Sequence, residues 1–492
     1  MASANILLLP EAGSGHLMSL IEAGKRLLAH GGGDEGRSLT VTVLVVQPAT
    51  AESAAEVDAH VKRVEASGLG VRFHRLPAVE PPMDCVAGNV QEFKSRYMQL
   101  QAPHVKAAAA EIGAAALVVD FFATGVLDAA RELGVPTYVY FTSPAALLAL
   151  MLRLPALEEE VPVDFEEFEG TVDVPGLPPV PVASIPGFMG RKKSPNFTWF
   201  VYHGRRFMDA DGLIINTVSE LEPGLLAAIA DGRCVPGRQA PPLYPIGPVL
   251  DVGVKQPSNE HCVRWLDAQP PASVLFLCFG SMGWFDAAKA HEVAVGLERS
   301  GHRFLWALRG PPAAGSVHPT AADLDELLPE GFLERTKERG LVWPRWAPQK
   351  EVLSHPAVGG FVTHCGWNST LESLWHGLPL VPWPLYAEQH LNAFEFVAVM
   401  GVAVPLKVDR KRNNFVEAAE LERAVRSLLG GGSEEGRKAR EKAAEMKAVC
   451  RKAVADGGSS HAALQRLRGA IRCGAACSLD STVSVQYSAA LN

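Results

Sequence analysis

Residues 346–389 read WAPQKEVLSHPAVGGFVTHCGWNSTLESLWHGLPLVPWPLYAEQ. Within them, 359–363 is a short apolar run of strand length. It ends at His364, and Cys365-Gly366-Trp367-Asn368-Ser369 leads into a helical segment at 370–376. A second apolar run at 380–381 and a further helical segment at 389–399 follow. Strand and helix alternating across short turns is the building unit of a parallel sheet flanked by helices. The helix that opens near Asn368 presents unpaired amide N–H groups and the positive end of its dipole, a ready diphosphate site to which His364 adds a donor. Ser369 and Glu372 also fit a Ser-x-x-Glu capping box, the purely structural alternative for that pair.

Outward from this stretch the same alternation continues. Upstream, a β-rich run at 274–279 turns at Gly280-Ser281, and strands at 303–308 and 340–343 alternate with helices at 287–300 and 349–354. Downstream, helices at 416–429 and 434–456 close the unit. The first half repeats the theme, with strands at 5–9, 39–46, 71–76, 115–120, 137–142 and 212–216, and helices at 17–30, 51–67, 90–112 and 124–133. Between them, the acidic 158–170 and the Pro- and Gly-rich 174–186 are expected as surface loops. Prolines and glycines at 240–259 stop either element from propagating, which makes this segment the expected linker. The fold class is α/β, with two Rossmann-like doubly wound parallel-sheet domains facing each other across a cleft. Their expected bounds are 1–239 and 260–456, followed by a helix at 457–472 packed back on the first domain and a disordered tail at 473–492.

A chain of 492 residues exceeds what one hydrophobic core organises, and 48% hydrophobic residues supply two. A formal charge of −8 argues against nucleic acid as a partner and leaves a small molecule. The eight cysteines are scattered, with no pairing at zinc spacing, so they read as reduced thiols and no metal site is expected. The longest apolar run, 145–157, is broken by Arg153 and Pro155, and the N-terminal run lacks the basic flank of a signal peptide. The expectation is a cytoplasmic monomer with no membrane insertion.

In open parallel sheets, ligands bind beyond the carboxyl ends of the strands. Two residues of the first half stand there: His16, after the loop Glu11-Ala12-Gly13-Ser14-Gly15, and Asp120, closing its strand. Gly13-Ser14-Gly15 does not complete a dinucleotide fingerprint, since the third glycine position is Met18. Taken singly, His16 is a helix-start histidine and Asp120 a helix cap. As a pair they make a base: a carboxylate fixes the imidazole tautomer and stabilises the imidazolium. No nucleophile elbow accompanies them, so the base acts directly on a bound hydroxyl.

The 346–389 segment closely resembles the signature box of the plant secondary-product UDP-glycosyltransferases, a family with the two-domain GT-B fold. The resemblance extends to the His16 loop, Asp120 and Gly280-Ser281, over roughly residues 5–471. It implies a uracil platform at Trp346 with Ala347 and Gln349 beside it, and Glu372 on the ribose. Ser281, His364, Asn368 and Ser369 would hold the diphosphate, and Thr142, Trp367, Glu388 and Gln389 the sugar. His16 becomes the catalytic base and Asp120 its partner. Where the family most often has Asp, this chain has Glu388, a longer arm for the same carboxylate.

The reaction implied is transfer of glucose, from UDP-glucose as co-substrate, to a hydroxyl of a flavonoid or related phenol with inversion, and with no tightly bound cofactor. LPPVP and PLYAEQ carry the resemblance to the flavonoid branch. Phe121, Phe122, Phe188, Phe197, Trp199 and Phe200 are the expected apolar lining of the acceptor pocket. The two rival readings are a non-catalytic nucleotide-sugar binder, against which the His16–Asp120 pair speaks, and a GT-B epimerase or phosphorylase, against which the aromatic residues of the first domain speak.

Overall fold

The structure is a computed structural model that describes residues 4–29, 39–85, 88–251, 260–314 and 316–489, with side chains described as far as Gly474, Ser14 apart. Two parallel sheets organise it. The first is built from β1 (Ala4–Leu9), β2 (Leu39–Val45), β3 (Val71–Arg75), β4 (Ala114–Asp120) and β5 (Thr137–Phe141). A small antiparallel hairpin, β6 (Thr171–Val172) and β7 (Val180–Pro181), precedes its last two strands, β8 (Gly212–Ile215) and β9 (Leu243–Pro245). Their order is β3-β2-β1-β4-β5-β8-β9.

The second sheet comprises β10 (Val274–Cys278), β11 (Arg303–Ala307), β14 (Gly340–Trp343), β15 (Val358–Thr363) and β16 (Leu380–Pro382). The hairpin β12 (Arg309–Pro312) and β13 (Pro319–Ala321) lies beside it, and the order is β14-β11-β10-β15-β16. Each sheet buries a cluster of apolar side chains on both faces, as strands built from continuous Val, Leu and Ile runs require. In each, the strand order reverses at one point, between β1 and β4 in the first sheet and between β10 and β15 in the second. That crevice is where doubly wound folds bind ligands.

Four departures from the sequence reading have physical causes. The segment 90–112 is two helices, Val90–Leu100 and Ala102–Ile112, because Pro103 removes an amide and fits best in a first turn. Part of the expected linker is β9, which accepts Pro245 because it is an edge strand; residues 252–259 lie outside the described ones. The helix Pro195–Phe207 falls where no element was anticipated, started by Pro195 and by Ser194, whose hydroxyl accepts the Phe197 amide at 3.2 Å. Finally, the last helix runs Ser459–Ala489, through most of the stretch expected as a disordered tail, because a docked and nucleated helix extends at little cost.

The apolar run near Ala145 is the helix Ala145–Glu160, buried inside the first domain despite Pro155. Among the described residues no helix is long and apolar enough to cross a membrane. The chain passes from the first sheet to the second after β9 and returns with the last helix, whose Ala463, Leu464, Leu467 and Ile471 join the cluster under Ile6, Val118 and Tyr138. The two crossings touch: Ser460 Oγ donates to the Gly247 carbonyl at 2.5 Å.

Candidate active site

β1 delivers His16 through the loop that follows it, and β4, its neighbour across the switch point, ends on Asp120. His16 Nδ1 lies 2.7 Å from Asp120 Oδ2, with the imidazole 22% exposed and the carboxylate fully buried. The other Asp120 oxygen accepts the Phe122 amide at 2.9 Å, so the capping contact and the contact to His16 are made together. With Nδ1 donating to a carboxylate, Nε2 is the nitrogen left for a substrate proton. Burial, the largest influence on His16, disfavours the imidazolium. The charge and hydrogen bond of Asp120 outweigh it, Glu11 helps and Lys94 opposes, and the net result lies above the ordinary histidine value.

Across the cavity, β15 ends at Thr363 and the chain turns at Cys365, whose φ of +68° swings the following helix N-terminus toward the cleft. The helix Trp367–His376 starts at Gly366 without any side-chain cap. Ser369 is therefore its third residue and not a capping residue, which removes the capping-box alternative. Instead, Gln349 Nε2 donates to Ser369 Oγ at 3.0 Å and Glu372 Oε2 at 2.7 Å, tying three of the expected nucleotide residues into one network. The first intrahelical bond runs from the Thr370 amide to the Gly366 carbonyl, so the amides of Trp367, Asn368 and Ser369 precede it.

His364 is buried, and burial pushes its pKa down to about 4, so the ring is a neutral donor. It sits between two glycines. A Cβ on Gly280 (φ +73°) would stand 2.6 Å from its Nε2 and one on Gly366 2.4 Å, which explains why the turn before Ser281 has no side chain. Ser281 itself is exposed at that turn. Trp346 is 63% exposed, with its carbonyl fixed by Trp343 Nε1 at 3.1 Å and Ala347 buried behind it. A large exposed ring held by its backbone is a stacking surface.

Trp367 and Asn368 face the first domain: the indole N–H of Trp367 donates to the Asn216 carbonyl at 2.6 Å. Glu388 and Gln389 follow Ala387, which is held at φ +52°. The Gln389 carbonyl accepts the amides of Leu385 and Tyr386, leaving its N–H groups as donors. Glu388 accepts from Ser143 Oγ at 3.2 Å across the cleft. Ser143 stands beside Thr142 just past β5, so the strand-end rule that pointed to Thr142 reaches it as well.

His16, Thr142, His364, Trp367, Asn368, Glu388 and Gln389 line one cavity of about 310 Å³ between the domains; Ser281, Trp346, Ala347, Gln349, Ser369 and Glu372 are not among its lining residues. Its far wall is apolar: Phe121, Phe122, Leu147, Phe188 and Phe200. Two expected members are elsewhere. Phe197 lies three residues from Phe200 but packs on Phe165 in the core, and Trp199 turns away toward Tyr202 and His203. A helix shows a cavity only part of its circumference, and the sequence offered no element to phase that face. Sequence reasoning also missed Gln91, Lys94 and Tyr386, which line the cavity, and Glu11 beneath it. Glu11 is buried and accepts the Gly13 amide at 3.0 Å and Lys94 Nζ at 3.1 Å. Burial alone would raise its pKa; Lys94, His16 and these hydrogen bonds prevail and hold it below the ordinary carboxylate value.

The arrangement sets a histidine held by a buried carboxylate on one side of a cavity and neutral hydrogen-bond donors on the other, groups able to take a proton and to meet an anion. Residues 244–433 match the family model described as UDP-glucoronosyl and UDP-glucosyl transferase. "Malvidin galactosylase UGT88C3" of Oryza sativa subsp. japonica is 58% identical, over 96% of this chain and all of that protein. "Anthocyanidin 5,3-O-glucosyltransferase" of a Rosa hybrid cultivar is 37% identical over 95% of this chain and 98% of its own length. Among solved structures, Phytolacca americana UGT2 complexed with UDP-2fluoro-glucose and pterostilbene superposes with a TM-score of 0.82 at 34% identity, over 95% of this chain and all of that one. The GT-B architecture, the paired sites across the cleft and these likenesses together place the chain in the plant secondary-product branch of the UDP-glycosyltransferase family.

Proposed function

We propose that the chain transfers a hexose from a UDP-hexose to a phenolic hydroxyl of a flavonoid-type acceptor, with inversion and without a metal. The observation that carries this reading is the cavity that His16, held from behind by the buried Asp120, shares with the Thr142, His364, Glu388 and Gln389 side chains. His16 Nε2 takes the proton of the acceptor hydroxyl as its oxygen attacks the anomeric carbon, and UDP leaves from the opposite face. Charge growing on the diphosphate is met by neutral His364 and the amides at Asn368 and Ser369. A phenol suits such a base better than an aliphatic alcohol, because its proton is far easier to remove. The names of the rice and rose relatives support an anthocyanidin-like acceptor. We take the enzyme to act as a cytoplasmic monomer.

Donor choice has two readings. The resemblance associates Gln389 and Trp367 with UDP-glucose, and the hydrogen bonding is consistent with it: an amide and a carboxylate satisfy equatorial hydroxyls, and an axial one leaves a buried polar group unpaired. That costs about 1–3 kcal/mol, or on the order of tenfold in kcat/KM. The name of the 58% identical rice relative supports UDP-galactose instead. The test is to incubate the protein with each UDP-hexose and a library of phenols, identify glycosides by mass spectrometry and read the anomeric configuration by NMR. β-Glycosides and a tenfold preference for UDP-glucose are expected; a reversed preference selects the galactose reading, and no product from any phenol overturns the proposal. Excess EDTA should leave the rate unchanged, and revival by magnesium would refute the metal-free part.

A further inference from the structure

The apolar acceptor wall contains a charge that the reaction described above does not use. The helix Val90–Leu100 sends Lys94 into the cavity beside His16, and among the described lining residues it is the one lysine or arginine. Its ammonium lies 3.1 Å from Glu11 Oε2 and 5.3 Å from the centre of the Phe122 ring. Glu11 does not line the cavity, so the pair is neutral in sum but polarised, with the cation toward the substrate and the carboxylate beneath it. Placing an ion pair in a wall that is otherwise Phe and Leu with the uncharged Gln91 has a desolvation cost that an apolar side chain would avoid. An ammonium carries three N–H donors. Glu11 takes one and the face of Phe122 favours the cation in place, which leaves donor capacity toward the cavity. The other fixed charge there, Glu388, sits on the donor side and is engaged by Ser143.

We propose that Lys94 is an acceptor-recognition residue, binding a second, anionic or strongly accepting oxygen of the phenolic acceptor while His16 takes the proton of the hydroxyl under attack. This deepens the proposed function and rests on it. The field in the cavity orients such an acceptor. A negatively charged edge is repelled by the diphosphate and by Glu388 and drawn to Lys94, which points the opposite edge, bearing the reactive hydroxyl, at the anomeric carbon. Glu11 also ties Lys94 to the loop that carries the base, since its Oε2 holds the Gly13 amide as well.

The test compares two acceptors with the same ring system and reacting hydroxyl, 2-naphthol and 6-hydroxy-2-naphthoate, using wild-type enzyme, Lys94→Met and Lys94→Arg. Transfer to 2-naphthol by the wild type checks the underlying function independently of Lys94. If that holds, Lys94→Met should raise KM for the naphthoate about tenfold, the usual weight of a charged hydrogen bond, and leave KM for 2-naphthol and the UDP-hexose within about twofold. Lys94→Arg should recover most of the naphthoate affinity. Lys94→Met should also move the acid limb of kcat/KM to higher pH with both acceptors, since Lys94 opposes protonation of His16. Equal losses on both acceptors, or no loss on either, would overturn the assignment, while a wild type inactive on every phenol would instead overturn the function on which it rests.

Discussion

Two histidines occupy matching places in the two domains, and they behave oppositely. His16 follows β1 and His364 follows β15, each beside the switch point of its sheet and each facing the same cavity. His16 has Asp120 at 2.7 Å, and its affinity for a proton is raised. His364 lies between glycines with no carboxylate on its ring among the described residues, and burial drives its pKa to about 4. One holds a proton more readily than an ordinary histidine; the other is a neutral dipole. The difference teaches that the partner of a histidine, not its position after a strand, decides its chemistry.

The comparison breaks most visibly if the base is removed. His16→Ala should lower kcat a hundredfold or more, the usual weight of a general base, with UDP affinity unchanged by calorimetry. Wild-type turnover of a phenol by this variant would dismiss the pair. His364→Ala should cost less, on the order of tenfold to a hundredfold in kcat, because helix amides share the leaving-group charge; a matching loss in UDP affinity would show that it serves binding rather than the transition state. Smaller again is Asp120→Asn, about tenfold in kcat, since Nε2 survives but its tautomer and charge support weaken. The sign of its pH effect sharpens the contrast. Asp120 raises the His16 pKa, and the base works only when neutral, so activity rises with pH through a value above the ordinary one. The Asn variant should shift that acid limb downward; a limb that stays put would mean that another group controls it.

Much of this was written in the sequence where chemistry is local. The order Gly359–His364–Trp367 encodes a strand, a turn and a helix start within a few residues, and so exposes the donor site to a linear reading. His16 and Asp120 drew notice for a related reason, His16 lying past the loop that follows β1 and Asp120 closing β4. The acceptor wall was not. Phe200 faces the cavity and Phe197 faces the core because of the phase of one helix that begins at Pro195, and no local pattern announces that phase. Lys94 was hidden in a run with helical spacing, where a lysine ordinarily meets water. The capping box at Ser369 and Glu372 shows the converse hazard: a satisfactory local motif was displaced by Gln349, twenty residues away from Ser369.

The hydrogen bond between Ser460 and Gly247 has a mechanical meaning. Two strands of chain joining two bodies at separate points would brace them like a frame, whereas two crossings fastened to each other act as a single pivot. Fastening at one point removes relative translation of the halves and leaves rotation about that point. The gap seen by substrates widens in proportion to distance from the pivot, so the bridges at Trp367–Asn216, Glu388–Ser143 and Arg410–Ile185 are among the contacts that such a rotation would have to break or remake.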